Sequence, residues 1–282
     1  MVRAMSKSRT SQVSSMPPKE RSRENRLSSK SDWSSSWDHA RKSPLTINPR
    51  VPSFRDLDDL FQRRLPRGEH LRCLEIGCCP GQYLWYFHDR FGYQPSGLDY
   101  LEEGCTELRQ RCEDHAFPAD VICADMFDFK CSASHPPWDV VTSFGLVEHF
   151  QDVGPCLQRH IDFVKPGGYI AISIPNHAGW NGSLLNSLDP KLHAIHNHMN
   201  WHDLRNAIEA TGQLEILEGG YFGRIGFWGT SLYRKARKWG RLPYLCMRTP
   251  LYAIETAGRL MPNSSLMSPN IAVVARRLAH TP

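Results

Sequence analysis

The stretch from Leu71 to Leu84, LRCLEIGCCPGQYL, constrains this chain more than any other. Leu71, Cys73, Leu74 and Ile76 form a short apolar run of the kind that becomes a buried strand. The run passes Glu75 and Gly77, turns through Cys78-Cys79-Pro80-Gly81, and continues with Tyr83, Leu84 and Phe87 at helical spacing. A strand, a glycine turn and a helix start bring backbone N–H groups and the positive end of a helix to the carboxyl edge of the strand. Such an edge accepts a ligand with negative or polar groups. The spacing argues against a dinucleotide. That fingerprint wants glycine at its first, third and sixth positions, but counting from Gly77 the third is Cys79 and the sixth is Gln82.

The 282 residues can bury one full core, with a lid or tail besides. There is no long apolar run to cross a membrane and no N-terminal segment flanked like a signal peptide. Nine cysteines, an odd count spread over strand-like segments, suit a reducing compartment, so a cytoplasmic location is expected. Cys78 and Cys79 read as small residues packed in a turn rather than as a redox pair. The net charge of +5 is uneven: residues 1–50 carry +7 and the remainder −2. A basic tail on a near-neutral domain is therefore expected, not a nucleic-acid-binding fold, and no specific nucleic-acid motif is present. Residues 1–46 are rich in Ser and Arg and too poor in apolar groups to order themselves. Trp33 and Trp37, followed by Asp38-His39-Ala40, are unusual in such a tail and suggest docking on the domain.

From 47 onward the pattern is globular. Ser53 can cap a helix over 53–65, with Phe54, Leu57, Leu60, Phe61 and Leu65 on one face, ended by Pro66-Arg67-Gly68. A short strand ends in Asp99, 22 residues past Gly77, where a carboxylate suits the two hydroxyls of a ribose. A helix from Glu102 to His115 and a third strand, Ala119 to Cys123, lead into Asp125-Met126. A fourth strand, Trp138 to Ser143, runs into Phe144-Gly145-Leu146-Val147-Glu148-His149. His149 has two readings, a general base for a hydroxyl substrate or a structural residue at a helix start. A helix from Pro155 to Val164, a Lys165-Pro166-Gly167-Gly168 turn and a fifth strand, Tyr169 to Ile174, follow. The sixth and seventh strands are placed at Leu214 to Phe222 and Asn270 to Arg276.

These motifs, in this order, resemble the class I S-adenosylmethionine-dependent methyltransferases, in the branch of the ubiquinone-pathway O-methyltransferases. The resemblance implies an α/β, Rossmann-like seven-stranded sheet, mostly parallel with the last strand antiparallel, with helices on both faces and lid insertions. It implies a methyltransferase domain over 47–282 and S-adenosyl-L-methionine as cofactor. Cofactor contacts would fall on Glu75, Gly77, Gly81, Asp99, Tyr100, Asp125, Met126 and Phe144. Cys79 stands where the family commonly has glycine. In the branch, a glutamate three residues before the Glu of the Glu-His pair helps hold a divalent metal. Gly145 occupies that position, so no metal is expected. His198, with Trp201 three residues on, resembles the histidine that precedes the next helix in related methyltransferases and lies near the acceptor, and it joins His149 as a candidate for proton handling or substrate positioning.

Two insertions depart from the minimal core. Residues 176–200 form a long segment at the ligand edge, with His193, His196 and His198 near its end and His202 just beyond. No acid or cysteine nearby completes a metal site. Residues 224–268 separate the last two strands. Between Gly219 and Ile254 lie seven basic residues and no acid, interleaved with Phe222, Phe227, Trp228, Tyr233, Trp239 and Tyr244. Leu232, Ala236 and Trp239 would share one helical side. Such a segment, 231–248 above all, can line a pocket for an acidic acceptor or lie on an anionic membrane. The expected activity is methyl transfer, O- rather than N-, to a small-molecule, lipid-precursor or glycan acceptor. A non-catalytic methyltransferase-like subunit and a membrane-peripheral binding protein stay open as alternatives.

Overall fold

The computed structural model describes residues 25–34, 44–48, 51–227 and 229–279. Trp37, Asp38, His39, Ala40 and Trp228 lie outside them. The first helix, α1 (Pro52–Arg64), starts one residue before the expected cap, with Val51 at the N-cap position and proline in the first turn. Phe54, Leu57, Leu60 and Phe61 form its buried face. The core then alternates strand and helix: β1 (Arg72–Ile76), α2 (Gln82–Phe91), β2 (Gln94–Asp99), α3 (Glu102–Asp114), β3 (Asp120–Cys123) and β4 (Trp138–Phe144). After a 3-10 turn at Val147–His149 come α4 (Gly154–Phe163) and β5 (Val164–Pro175). The first insertion forms α5 (Trp180–Leu188) and α6 (Pro190–Ala194) before α7 (Trp201–Ala210) and β6 (Leu214–Phe222). The second forms α8 (Leu232–Lys238) and α9 (Arg241–Ala257), and β7 (Asn270–Arg277) follows.

The seven strands lie in the order β3-β2-β1-β4-β5-β7-β6. The first five are parallel, and β7 runs antiparallel to both β5 and β6. This is the expected Rossmann-like arrangement. Side chains alternate across it. Val141, Ile170, Ile172, Ile271 and Val273 pack toward α4 and α7, beside Leu157, Ile161, Leu204 and Ile208. Val140, Ala171, Ala272 and Val274 pack toward α1 and α2, beside Leu57, Phe61 and Phe87. Both faces are thus covered, as a parallel sheet requires. Strand order reverses between β1 and β4, which opens a crevice at their carboxyl ends.

Three local expectations are corrected. Lys165-Pro166-Gly167-Gly168 is not a turn before the strand but lies within β5. Trp138 pairs with Val164 and Val140 with Tyr169, so the extra residues bulge out, with Gly167 at φ 77°. Trp239 does not share a buried side with Ala236. The helix ends at Lys238, leaving Ala236 buried and Trp239 65% exposed. Residues 25–34, within the stretch expected as a disordered tail, pack on the domain. Leu27 donates its amide to the His149 carbonyl at 2.8 Å, and Gln151 donates to Asn25 at 2.9 Å. Among the described residues, no helix is long and apolar enough to cross a membrane. All nine cysteines are free thiols.

His160 on α4 is fully buried. Its Nδ1 lies 2.8 Å from the Cys156 carbonyl oxygen and its Nε2 lies 2.8 Å from Ser143 Oγ. A neutral ring protonated on Nδ1 satisfies both partners, and burial pushes its pKa down to about 4 from 6.5. Between pH 6.5 and about 4 the unfolded chain binds this proton and the folded chain does not. Stability is therefore full above this window and falls as pH drops through it, by about 3 kcal/mol in all. Thermal melts from pH 7 to pH 4 are expected to show a shallower acid decline for His160→Gln than for the parent chain. Equal slopes would refute the assignment.

Candidate functional site

At the carboxyl end of β1 the chain must turn sharply toward α2. Gly77 and Gly81 do this with φ of 75° and 93°, a region that side chains with a Cβ rarely enter. At Gly81 a Cβ would also meet Leu108 Cδ1 at 2.4 Å. The Gly77 amide donates to the Leu98 carbonyl at 2.8 Å, which ties the turn to the end of β2. There Asp99 is held from two sides. Its Oδ1 accepts from the Leu101 amide at 2.9 Å and its Oδ2 from the Cys79 amide at 3.3 Å. Burial raises its pKa, and these amides offset part of that rise. Glu75, 3% exposed on β1, is pushed well above the usual carboxylate range by burial and by the Asp99 charge. Its Oε2 has no hydrogen-bond partner among the described residues.

A cavity partly open to solvent lies over this turn. Gly77, Asp99, Tyr100, Met126, Phe144 and His149 all line it. Six of the expected site residues are thereby brought together. Glu75 and Gly81, also expected at the site, are not among its lining residues. Phe144 is fixed by stacking on Tyr83 with ring centroids 3.7 Å apart. Asp125 does not itself line it but stands between Ala124 and Met126, which do, and Arg26 Nη2 meets its Oδ1 at 2.7 Å. The Arg26 guanidinium also lies over the Tyr100 ring at 4.9 Å and the Phe127 ring at 5.3 Å. Arg26, Ser28 and Trp33 complete the wall from the N-terminal segment. Sequence reading picked out Trp33, but Arg26 carried no signal among the other basic residues of that segment.

A second cavity shares Trp33, Gly145 and His149 with the first. Glu148, His177 and His196 also line it. His149 is 6% exposed, with its ring 4.6 Å from Trp33 and 4.5 Å from His196. Burial, and then the proximity of His196, push its pKa down to about 3, so the ring is neutral and only weakly basic at neutral pH. Of the two readings of His149, the general base needs a more basic ring than this one. His198, the other proton-handling candidate, lines neither cavity. It is exposed, stacked on His193 at 3.8 Å, with Nε2 2.9 Å from the His193 carbonyl. The turn after α6 brings His196 inward and leaves His198 outside. Cys78 and Cys79 are thiols raised by their surroundings, not thiolates, which gives them no nucleophilic role.

Residues 51–217, more than half of the chain, match the family described as "Methyltransferase domain". A ubiquinone biosynthesis O-methyltransferase from Nitrobacter winogradskyi is 32% identical over 147 residues, covering 50% of this chain and 55% of that protein. The chain thus spans about half the length of the curated relatives it matches. Among solved structures, an S-adenosylmethionine-dependent methyltransferase from Mesorhizobium loti superposes with a TM-score of 0.54 at 16% identity, covering 83% of this chain and 100% of that one. Phosphoethanolamine N-methyltransferase 2 from Haemonchus contortus, in complex with S-adenosyl-L-methionine, gives 0.54 at 17% identity, covering 79% of this chain and 52% of that one. At such identities the shared property is the fold. The family match, by contrast, runs through the glycine turn, Asp99, Asp125 and the Glu148-His149 segment, and the chain belongs to the methyltransferase domain family.

Proposed function

We propose that this chain is an S-adenosylmethionine-dependent methyltransferase acting on the oxygen of a small-molecule, lipid-precursor or glycan acceptor. The observation that carries the reading is the placement of Asp99. It is held by two backbone amides beside the glycine turn, on the wall of a cavity at the point where strand order reverses. The residues fit the cofactor. Asp99 has acceptor capacity left for ribose hydroxyls, Tyr100 and Met126 offer flat and polarizable surface for an adenine, and Asp125 stands between Ala124 and Met126. The cofactor supplies a methyl group on a positively charged sulfur. The chain's own contribution is alignment and exclusion of water, and alignment of two reactants is worth about 7–11 kcal/mol at best.

The second cavity supports the acceptor side of the reading. It meets the first at His149 and Gly145, so a molecule seated there would face the cofactor cavity. The imidazoles of His149, His177 and His196 that line it are held neutral by burial, and a neutral ring can accept a hydrogen bond from a hydroxyl. The similarity to ubiquinone biosynthesis O-methyltransferases points the same way. A hydroxyl attacker must lose its proton, and His149 is a weak acceptor on its own.

A peripheral membrane contact belongs to the same proposal. On α9, Leu242, Leu245 and Tyr252 are 72%, 42% and 49% exposed and share one side, flanked by exposed Arg241 and Arg248. An apolar stripe edged by arginine suits an anionic bilayer surface.

Three outcomes are expected. Isothermal titration should show S-adenosylmethionine and S-adenosylhomocysteine binding to the parent chain and weakened at least about tenfold, or 1.4 kcal/mol, by Asp99→Ala. Unchanged affinity would remove Asp99 from the cofactor site, and no binding to the parent chain would favour the non-catalytic reading. His149→Ala should keep cofactor affinity while lowering S-adenosylhomocysteine release on a panel of hydroxylated acceptors, by about 10²–10⁴-fold if it handles the proton. Loss of cofactor affinity instead would make His149 structural. Co-sedimentation with phosphatidylserine vesicles should be reduced by Leu242→Ser with Leu245→Ser, and an unchanged bound fraction would sink the membrane contact.

A further inference from the structure

Cys78 and Cys79 have no nucleophilic part in the reaction, yet their surroundings are shaped around their sulfur atoms. A Cβ at Gly97 would meet Cys78 Sγ at 2.6 Å, and one at Gly104 would meet Cys79 Sγ at 3.0 Å. Neither glycine lies at positive φ, so the backbone does not ask for glycine there. What the two positions supply is room for sulfur. Cys105 of α3 hydrogen-bonds to Cys79, and Cys79 to Cys78. Cys105 Sγ also lies 3.5 Å from the Asp99 carbonyl oxygen. One donor atom each from Cys78, Cys79 and Asp99 lies within 4.8 Å of the others.

Each oxygen of Asp99 accepts one backbone amide, which leaves it a further lone pair. Cys78 is 1% exposed, but Cys79 lines the first cavity, so an ion from solvent has a path to the group. Hydrogen bonding among the thiols and burial leave Cys78 and Cys79 with raised pKa values. That state disfavours oxidation to a disulfide, which proceeds through a thiolate. It is no bar to a soft metal ion, which displaces the thiol protons as it binds. The expectation of no metal concerned Gly145 at the end of β4 and did not weigh these thiols.

We propose that Cys78, Cys79 and Asp99 bind a soft metal ion of the class of zinc(II), cadmium(II) or copper(I), and that this ion and the cofactor exclude each other. Two sulfurs select such ions over magnesium or calcium, which favour all-oxygen sets. Two thiol protons pass to solvent for each ion bound, and no oxidant or reductant is consumed. The exclusion rests on the methyl-transfer reading, in which Asp99 holds the ribose. An ion seated on Asp99 takes the same carboxylate, and Cys79 faces the same cavity. Methyl transfer would then stop while the ion is held and resume when a chelator removes it.

The test uses the full chain, reduced with a phosphine and stripped with chelator. Cadmium(II) is titrated without cofactor against a competing chelator, and the thiolate-to-cadmium charge-transfer band is followed in the ultraviolet. The expected result is one equivalent per chain, with magnesium(II) giving no band. Cys79→Ser and Cys78→Ala should each weaken cadmium binding at least about tenfold. Cys246→Ser, which alters an exposed cysteine on α9, should not. Cadmium should raise the melting temperature of the parent chain and leave that of Cys79→Ser unchanged, whereas a variant that failed to fold would show no transition. S-adenosylhomocysteine should bind the cadmium-loaded chain at least about tenfold more weakly than the metal-free chain, and should weaken cadmium by the same factor. No band on the parent chain overturns the site, as does a band that survives Cys79→Ser. Equal S-adenosylhomocysteine affinity with and without cadmium overturns the exclusion and leaves the methyl-transfer reading untouched. A metal-free chain that binds no S-adenosylhomocysteine overturns that reading and the exclusion with it, and cadmium uptake alone then decides the site.

Discussion

The Asp99 carboxylate and the way it is held govern the geometry around it. A half-buried carboxylate at the end of a strand must be met by donors, and here they are the amides of Cys79 and Leu101. The Cys79 amide can point at Asp99 only because the chain leaves β1 through Gly77 and enters α2 through Gly81, both at positive φ. Gly97, two residues before Asp99, leaves no room for a side chain, since a Cβ there would meet Cys78 Sγ at 2.6 Å. The turn, the end of β2 and the start of α2 are therefore one packed unit, and small side chains at 77, 81 and 97 are what let it close. Glu75 sits behind it as a second acid, its pKa pushed well above the usual carboxylate range by burial and by the Asp99 charge.

The N-terminal segment reads as part of this site. Arg26 pairs with Asp125 and lies over Tyr100 and Phe127, while its backbone bridges to Phe150. Trp33 stands edge-on to His149, where the two cavities meet. One short stretch thus covers both the residues after β3 and the segment after β4. The aromatic surface and the Asp125 carboxylate are covered by a guanidinium that suits both.

Much of this was legible in the sequence because it is local. Strand boundaries came from apolar runs, and the ligand edge from a glycine turn and two acids placed after strands. What could not be read depends on contacts across the chain. Lys165-Pro166-Gly167-Gly168 has turn composition, yet the neighbouring strands hold it within β5, where pairing resumes at Tyr169 with both Val140 and Arg276. His198 and His196 are two residues apart with nothing in composition to rank them. The choice is made by the carbonyls of Leu192 and Ile195 and by Asn197 anchoring to Glu148. The basicity of His149 likewise depends on burial beneath Trp33 and His196, neither of them near it in sequence.

The two insertions are far apart in sequence but form one structure. Asp189 of the first pairs with Arg234 of the second, and Trp180 packs edge-on to Phe227 at 5.2 Å. The Asn176 side chain, at the end of β5, donates to the Ser265 and Ser268 carbonyls at 2.8 Å each, and the Trp180 amide donates to the Leu266 carbonyl at 3.0 Å. The first insertion is thereby tied at one end, through Asn176, to the loop before β7 and at the other, through Asn197, to the segment after β4. Anchoring of this kind matters for chemistry: a side chain such as His196 can serve a reaction only if its position against Glu148 and His149 is set before an acceptor arrives. The long connections therefore form one hydrogen-bonded wall of the second cavity. The elements that face outward from that wall, Trp239 and the exposed stripe of α9, are the ones left free to meet a surface.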